Sequence, residues 1–318
     1  MAARSPLIPR SGSAWALVLL AVSCDRSEPD ARASAVDVDV LFPRLAAEPS
    51  LVLVEHGRFL ALTDQPERAR RCLVHADRVA RFLSSELAFA ANPRRCGIVL
   101  IDDDRIAEAI AIKCGSDLSA PHLGGCAGFF SRRTGLIHVR GLAALRDPDL
   151  YERLVAHEVA HEMVWASGYP LLTGPGAWVA EGIATFAETL PTDPQDVLVP
   201  QPWATERLAQ AQAMAQAELL VPLGRFTSYT RTDLSRLRPL QARYPFRGAA
   251  VARSIPRDQV QSCALAAFLH ESLGPSFAAW LHSALDEGGT PDLLERRSEG
   301  PMSAMDQAFG EWLRRHAH

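Results

Sequence analysis

The residues whose types and spacing could do chemistry are His157-Glu158-Val159-Ala160-His161. On a helix, residues four apart share a face, so His157 and His161 can offer two imidazole nitrogens to one ion. Glu158 projects about 100° round from His157. It can take a proton from a water beside that ion without being a ligand. Two imidazoles that hold a metal, and one carboxylate that removes a proton, is the division of labour of metal-assisted hydrolysis. With 10 His and 18 Glu in the chain, random placement yields about 0.02 such motifs, so composition does not account for it.

A hydrolytic zinc site takes three protein ligands and keeps one position open. The third candidate is Glu181, inside Trp178-Val179-Ala180-Glu181-Gly182-Ile183-Ala184, 20 residues beyond His161. Local signals put both segments on helices. Asp147-Pro148-Asp149 with Glu152 reads as a helix start, and Gly168 with Pro170 as its end. Gly174-Pro175-Gly176 opens a second helix that Pro191 closes, and the loop at 168–176 lets it fold back on the first. The expected cofactor is one Zn2+ per chain, held by His157, His161 and Glu181.

H-E-x-x-H followed by W-V-A-E-G-I-A resembles the gluzincin metallopeptidases, and the resemblance is specific over residues 150–190. It implies an α+β, zincin-like fold: a mixed sheet with helices, then a mainly helical part, with the active-site cleft between them. It implies zinc-dependent hydrolysis of peptide bonds by an activated water, with Glu158 as general base. It also implies an edge strand that pairs with extended substrate backbone, corresponding to part of Ala127–Phe130 or Leu136–Val139.

The chain departs from the family pattern in three places. Aminopeptidase members carry an acidic residue upstream that binds the substrate amine. Gly124-Gly125-Cys126-Ala127-Gly128 has none, which favours an endopeptidase. Thermolysin-like members place an aspartate one turn after the ligand glutamate, hydrogen-bonded to a ligand histidine. Here that position is Thr185, and Glu188 is the possible substitute. The family's oxyanion-stabilising Tyr or His is fixed by no motif. Tyr229, Tyr244, His270 and His282 qualify by residue type, with Tyr244 first because it reads as part of a Pro/Gly-punctuated loop. These departures sustain an alternative, a catalytically degenerate zinc-binding surface lipoprotein.

The elements that must position these residues follow from periodicity. Of 318 residues, 48 % are apolar and 22 % charged, which supports a sizeable core and excludes wholesale disorder. The formal charge of -4 argues against a nucleic-acid partner, and the implied partner is a peptide or protein substrate. Oligomeric state is open. Leu51–Leu62 reads as two short strands around His56-Gly57, and Pro66–Ala90 as an amphipathic helix. Cys96–Ile101 reads as a buried strand, followed by a short helix through Ile112, and Ala127–Val139 as a strand pair. Residues 50–146 are therefore expected to form an α/β subdomain with the edge strand. Residues 147–318 are expected to form a helical subdomain carrying both site helices.

Residues 1–23 read as a signal peptide: Arg4 and Arg10, then the apolar run Ala14–Val22. Nine helical residues span only about 14 Å, half a bilayer core, so this is not a membrane span. Small residues precede Cys24, which resembles a bacterial lipoprotein signal with Cys24 acylated. That implies a membrane partner through an N-terminal lipid anchor, in the bacterial cell envelope, with residues 24–49 as a tether. Among the remaining cysteines, Cys114 and Cys126 flank one loop and are the candidate disulfide.

Overall fold

The computed structural model describes residues 35–47, 50–90, 92–116, 127–140, 149–169, 174–202, 205–237, 240–246, 249–298 and 300–316, with the 240–255 segment described by its backbone. Helix α1 (Val38–Leu45) is followed by strands β1 (Val52–His56) and β2 (Phe59–Thr63) and by helix α2 (Pro66–Ser85). Strand β3 (Cys96–Ile101), helix α3 (Asp104–Lys113) and strands β4 (Gly128–Ser131) and β5 (Leu136–Arg140) complete the α/β part. Helices α4 (Leu150–Ala166) and α5 (Trp178–Ala187) come next, then α6 (Glu206–Gln216), α7 (Leu223–Phe226) and α8 (Arg231–Ser235). Strands β6 (Leu240–Phe246) and β7 (Ala249–Ile255) lead into α9 (Arg257–Leu273), α10 (Phe277–Glu287), α11 (Pro291–Ser298) and α12 (Met302–Arg315).

Five strands form one mixed sheet in the order β1-β2-β3-β5-β4. The pairs β1–β2 and β4–β5 are antiparallel, and β3 runs parallel to both of its neighbours. Side chains on β3 alternate between two apolar layers, as a period of two requires. Cys96, Ile98 and Leu100 join the layer shared with α2 and α4, while Val99 and Ile101 join the layer shared with α1 and α3. Burial on both faces explains why Cys96–Ile101 reads as an unbroken apolar run.

The segment expected to be a tether, 24–49, contains α1. Val38, Phe42 and Leu45 recur at helical spacing and are buried against the sheet. The Val36 N–H donates to the Thr134 carbonyl in the β4–β5 turn at 3.0 Å. Gly97 makes room for this docking: a Cβ there would lie 2.6 Å from both Leu136 Cδ2 and Val38 Cγ1. The Asp alternation and Pro43 inside the helix conceal α1 in the sequence. Residues 1–34, with Cys24, lie outside the described residues.

Beyond residue 147 the expectation of a mainly helical part holds, with one correction. Residues 240–255 form a β-hairpin. Leu240, Ala242, Tyr244 and Phe246 do alternate, but Pro245 within the run argues against a strand. Helix α4 lies between the sheet and the C-terminal helices, touching α2, β4, β5 and α5, and α5 packs along α9. Every residue from Tyr151 to Trp165 except Arg153 is buried, so α4 is a central helix rather than an amphipathic surface one.

Helix α2 buries His75, and neither ring nitrogen has a hydrogen-bond partner among the described residues. Burial, with Arg78 and Arg153 adding to it, pushes its pKa down to about 4. The unfolded chain therefore binds the proton that the folded chain refuses, and stability should fall as pH drops from 6.5 toward about 4. His75→Leu should flatten that acid limb in urea-unfolding midpoints taken across the window. An unchanged slope would show that His75 stays neutral for no energetic reason.

Candidate metal centre

One turn of α4 separates His157 from His161, and α5 brings Glu181 across to them. Their ligand atoms all lie within 4.8 Å of one another. The two imidazole Nε2 atoms are 3.1 Å apart. Glu181 Oε2 is 3.7 Å from His157 Nε2, and Oε1 is 3.5 Å from His161 Nε2. Donors bonded tetrahedrally at about 2.0–2.1 Å stand about 3.3 Å apart, so the two imidazole nitrogens are spaced for one metal ion, with a different Glu181 oxygen nearest each of them. All three residues are buried, at 2 %, 4 % and 2 % relative exposure, which excludes a casual surface cluster. Among the described residues Glu181 Oε2 has no hydrogen-bond partner. Leaving such a buried carboxylate oxygen unsatisfied is costly, and a cation relieves it. The group could therefore hold a metal ion.

The tryptophan and glycine around Glu181 place it. The Trp178 indole N–H donates to the Gly289 carbonyl at 2.8 Å, tying the start of α5 to the loop after α10. That loop must come close: a Cβ on Gly289 would lie 2.2 Å from Val179 Cγ2. Gly176, at φ +87°, faces the same loop, and a Cβ there would lie 2.2 Å from Gly289 N. Gly182, next to the ligand, lets α5 approach α9, since its Cβ would sit 3.0 Å from the Ser262 carbonyl oxygen.

Hydrogen bonds orient two of the three donors. His157 Nδ1 donates to Glu188 Oε1 at 2.7 Å, which turns Nε2 toward the centre. Glu188 is in turn held by the buried Arg207, Nε to Oε2 at 3.3 Å. On the other side, Arg231 Nη1 donates to Glu181 Oε1 at 2.5 Å. His161 Nδ1 has no partner among the described residues.

Three buried carboxylates, Glu158, Glu181 and Glu188, face two guanidiniums, Arg207 and Arg231, and the pKa values divide accordingly. Burial acts to raise Glu181, but Arg231, His161 and His157 outweigh it and hold the carboxyl at about 2. Glu188 is likewise lowered: burial opposes, and Arg207 and His157 prevail. Burial pushes Glu158 up to about 7 against the pull of His157, with Glu181 and Glu188 adding to the rise. It thus combines a raised proton affinity with an Oε2 that has no hydrogen-bond partner. Burial lowers His161 to about 3, so its imidazole is neutral and can ligate. Asp258 at the start of α9 is also raised, to about 6, by burial and by Glu181.

Strand β4 ends the sheet, whereas β5 is paired on both sides, so of the two expected edge segments the structure makes 128–131 the edge. Its Gly128 lies against Glu158: a Cβ there would be 3.3 Å from Glu158 Oε1. Glu188, not Thr185, reaches a ligand histidine. The Thr185 hydroxyl donates instead to the Glu181 carbonyl at 2.7 Å, the usual bond of a short hydroxyl to the preceding helical turn. Tyr244 stands on β6 opposite Val251, in a strand rather than the expected loop. His282 is engaged by Tyr169 and the Leu87 carbonyl, His270 by Phe186 and Phe277, and Tyr229 by Phe226 and Arg225. Cys114 is a buried thiol, and Cys126, its expected disulfide partner, lies outside the described residues. Arg207, Arg231 and Gly128 were missed in the sequence. An isolated arginine in a chain with 33 basic residues carries no local signal of what it pairs with.

No known family matches the chain, and no curated protein is detectably similar to it.

Glu188→Gln removes a charged acceptor from His157 and the counter-charge from Arg207. Metal affinity, read by competition with a chelator, should fall about 10–100-fold. Unfolding free energy should drop by about 3–5 kcal/mol, since a buried cation loses its partner. Wild-type affinity in the variant would mean that the His157–Glu188 bond does nothing for the centre.

Proposed function

We propose that the protein is a zinc-dependent metallopeptidase of the gluzincin type, acting as an endopeptidase. One observation carries the reading: His157, His161 and Glu181 converge from α4 and α5 while Glu158, buried beside them, keeps an oxygen without a hydrogen-bond partner. Two nitrogens and one oxygen suit zinc among the divalent metals, and three protein donors leave the open position of a hydrolytic site. When bound there, zinc supplies a Lewis acid that polarises a carbonyl and acidifies a water.

The chain's own residues do the rest. Glu158, whose carboxyl sits near neutrality, takes the proton of the attacking water and passes it to the leaving amine. Glu188 fixes the His157 ring, and Arg231 fixes the Glu181 carboxylate. An extended peptide pairing with β4 would run past Gly128, whose missing side chain lets Glu158 pack close to the strand. The position of α4, between a mixed sheet with this edge and a helical layer, supports a zincin-like arrangement. Among the described residues no helix is long and apolar enough to cross a membrane. We place the protein in the bacterial cell envelope, anchored through an acylated Cys24, on the strength of the N-terminal sequence.

Glu158→Gln tests the reading. It should keep its metal and lose about 10²–10⁴-fold in cleavage of a mixed peptide library. Cleavage at the wild-type rate would remove Glu158 from the base role. A metal-loaded wild type that cuts no peptide would favour the alternative, a zinc-binding surface lipoprotein without catalysis.

A further inference from the structure

A carboxylate offers two oxygens and about four lone-pair sites, so a glutamate beside a metal can bind through one oxygen or both. The two modes differ in consequence. Binding through both would place a fourth protein donor on the metal and crowd the position a hydrolytic site keeps for water. Something must therefore hold one oxygen of Glu181 back.

The surroundings of Glu181 are unequal in the required way. Oε1 accepts a charge-assisted bond from Arg231 Nη1 at 2.5 Å, while Oε2 is buried with no hydrogen-bond partner. Arg231 is itself well placed to act as a fixed donor. It is the first residue of α8, directly after the N-cap Thr230, and a reciprocal capping box between Thr230 and Asp233 sets the backbone from which it reaches. Its side chain is only 19 % exposed, so water competes weakly for the bond. As a permanent cation it also repels a metal from the oxygen it holds.

We propose that Arg231 is a positioning residue that makes Glu181 a one-oxygen ligand, through Oε2, and so keeps the metal's fourth position open. The inference rests on the metal-centre reading above and goes beyond it, because neither the H-E-x-x-H motif nor the glutamate specifies how the carboxylate binds.

The test compares wild type, Arg231→Ala and Arg231→Lys, each loaded with cobalt(II) for visible absorption and with zinc for X-ray absorption, after circular dichroism confirms folding. The expected result in Arg231→Ala is one further oxygen neighbour around zinc and a loss of visible absorption intensity as cobalt leaves four-coordination, at unchanged metal stoichiometry. Arg231→Lys, which keeps a cationic donor, should return the spectra toward wild type. A merely structural arginine would shift the melting temperature and leave both spectra alone. Spectra identical to wild type in a folded, loaded Arg231→Ala would overturn the proposal. So would a folded variant that binds no metal, because Arg231 would then hold Glu181 in place rather than choose its mode. Should the alanine variant fail to fold, Arg231→Met keeps the bulk without the donors and is read by the same criteria. A wild-type protein that takes up neither cobalt nor zinc would instead sink the metal-centre reading itself.

Discussion

Desolvation is the constraint on which the rest of this structure depends. Two imidazoles and three carboxylates are buried around one point between α4 and α5. Each carboxylate taken out of water demands a counter-charge or a hydrogen bond, and burial alone pushes every one of them toward the neutral form. Arg207 answers for Glu188 and Arg231 for Glu181. Glu158 has no guanidinium bonded to it and keeps its raised proton affinity. The same physics thus sorts three similar side chains into an orienting acceptor, a candidate ligand and a candidate base.

The scaffold's contribution is to make the burial possible and the distances short. Helix α4 can be enclosed because α2, strands β4 and β5, and α5 all pack against it. Helix α5 can come near enough only because glycines remove Cβ atoms where backbones nearly touch, at Gly176, Gly182 and Gly289. Trp178, hydrogen-bonded to the Gly289 carbonyl, then pins the register of the helix that carries Glu181. In this W-x-x-E-G segment, therefore, the glutamate is the candidate ligand, and its neighbours set the crossing.

Much of this was legible in the sequence, for identifiable reasons. A four-residue histidine spacing encodes a shared helix face directly, and the strand Cys96–Ile101 announces burial on both faces by its unbroken apolar run. Features set by tertiary packing were not legible. Arg231 meets Glu181 at a sequence separation of 50, and Arg58 meets Glu162 at a separation of 104, with nothing local to mark either pair. Helix α1 was misread because charge alternation masks Val38, Phe42 and Leu45. The choice between Thr185 and Glu188 turned on side-chain length. The threonine hydroxyl is satisfied by its own helix, while the longer glutamate reaches His157.

Metal content is the most direct measure of the central claim. Elemental analysis of the purified chain, after a metal-replete preparation and exhaustive dialysis, should give about one zinc per chain, and Glu181→Ala should lose most of it. A wild-type value far below one, or a Glu181→Ala variant that retains the full complement, would contradict the account.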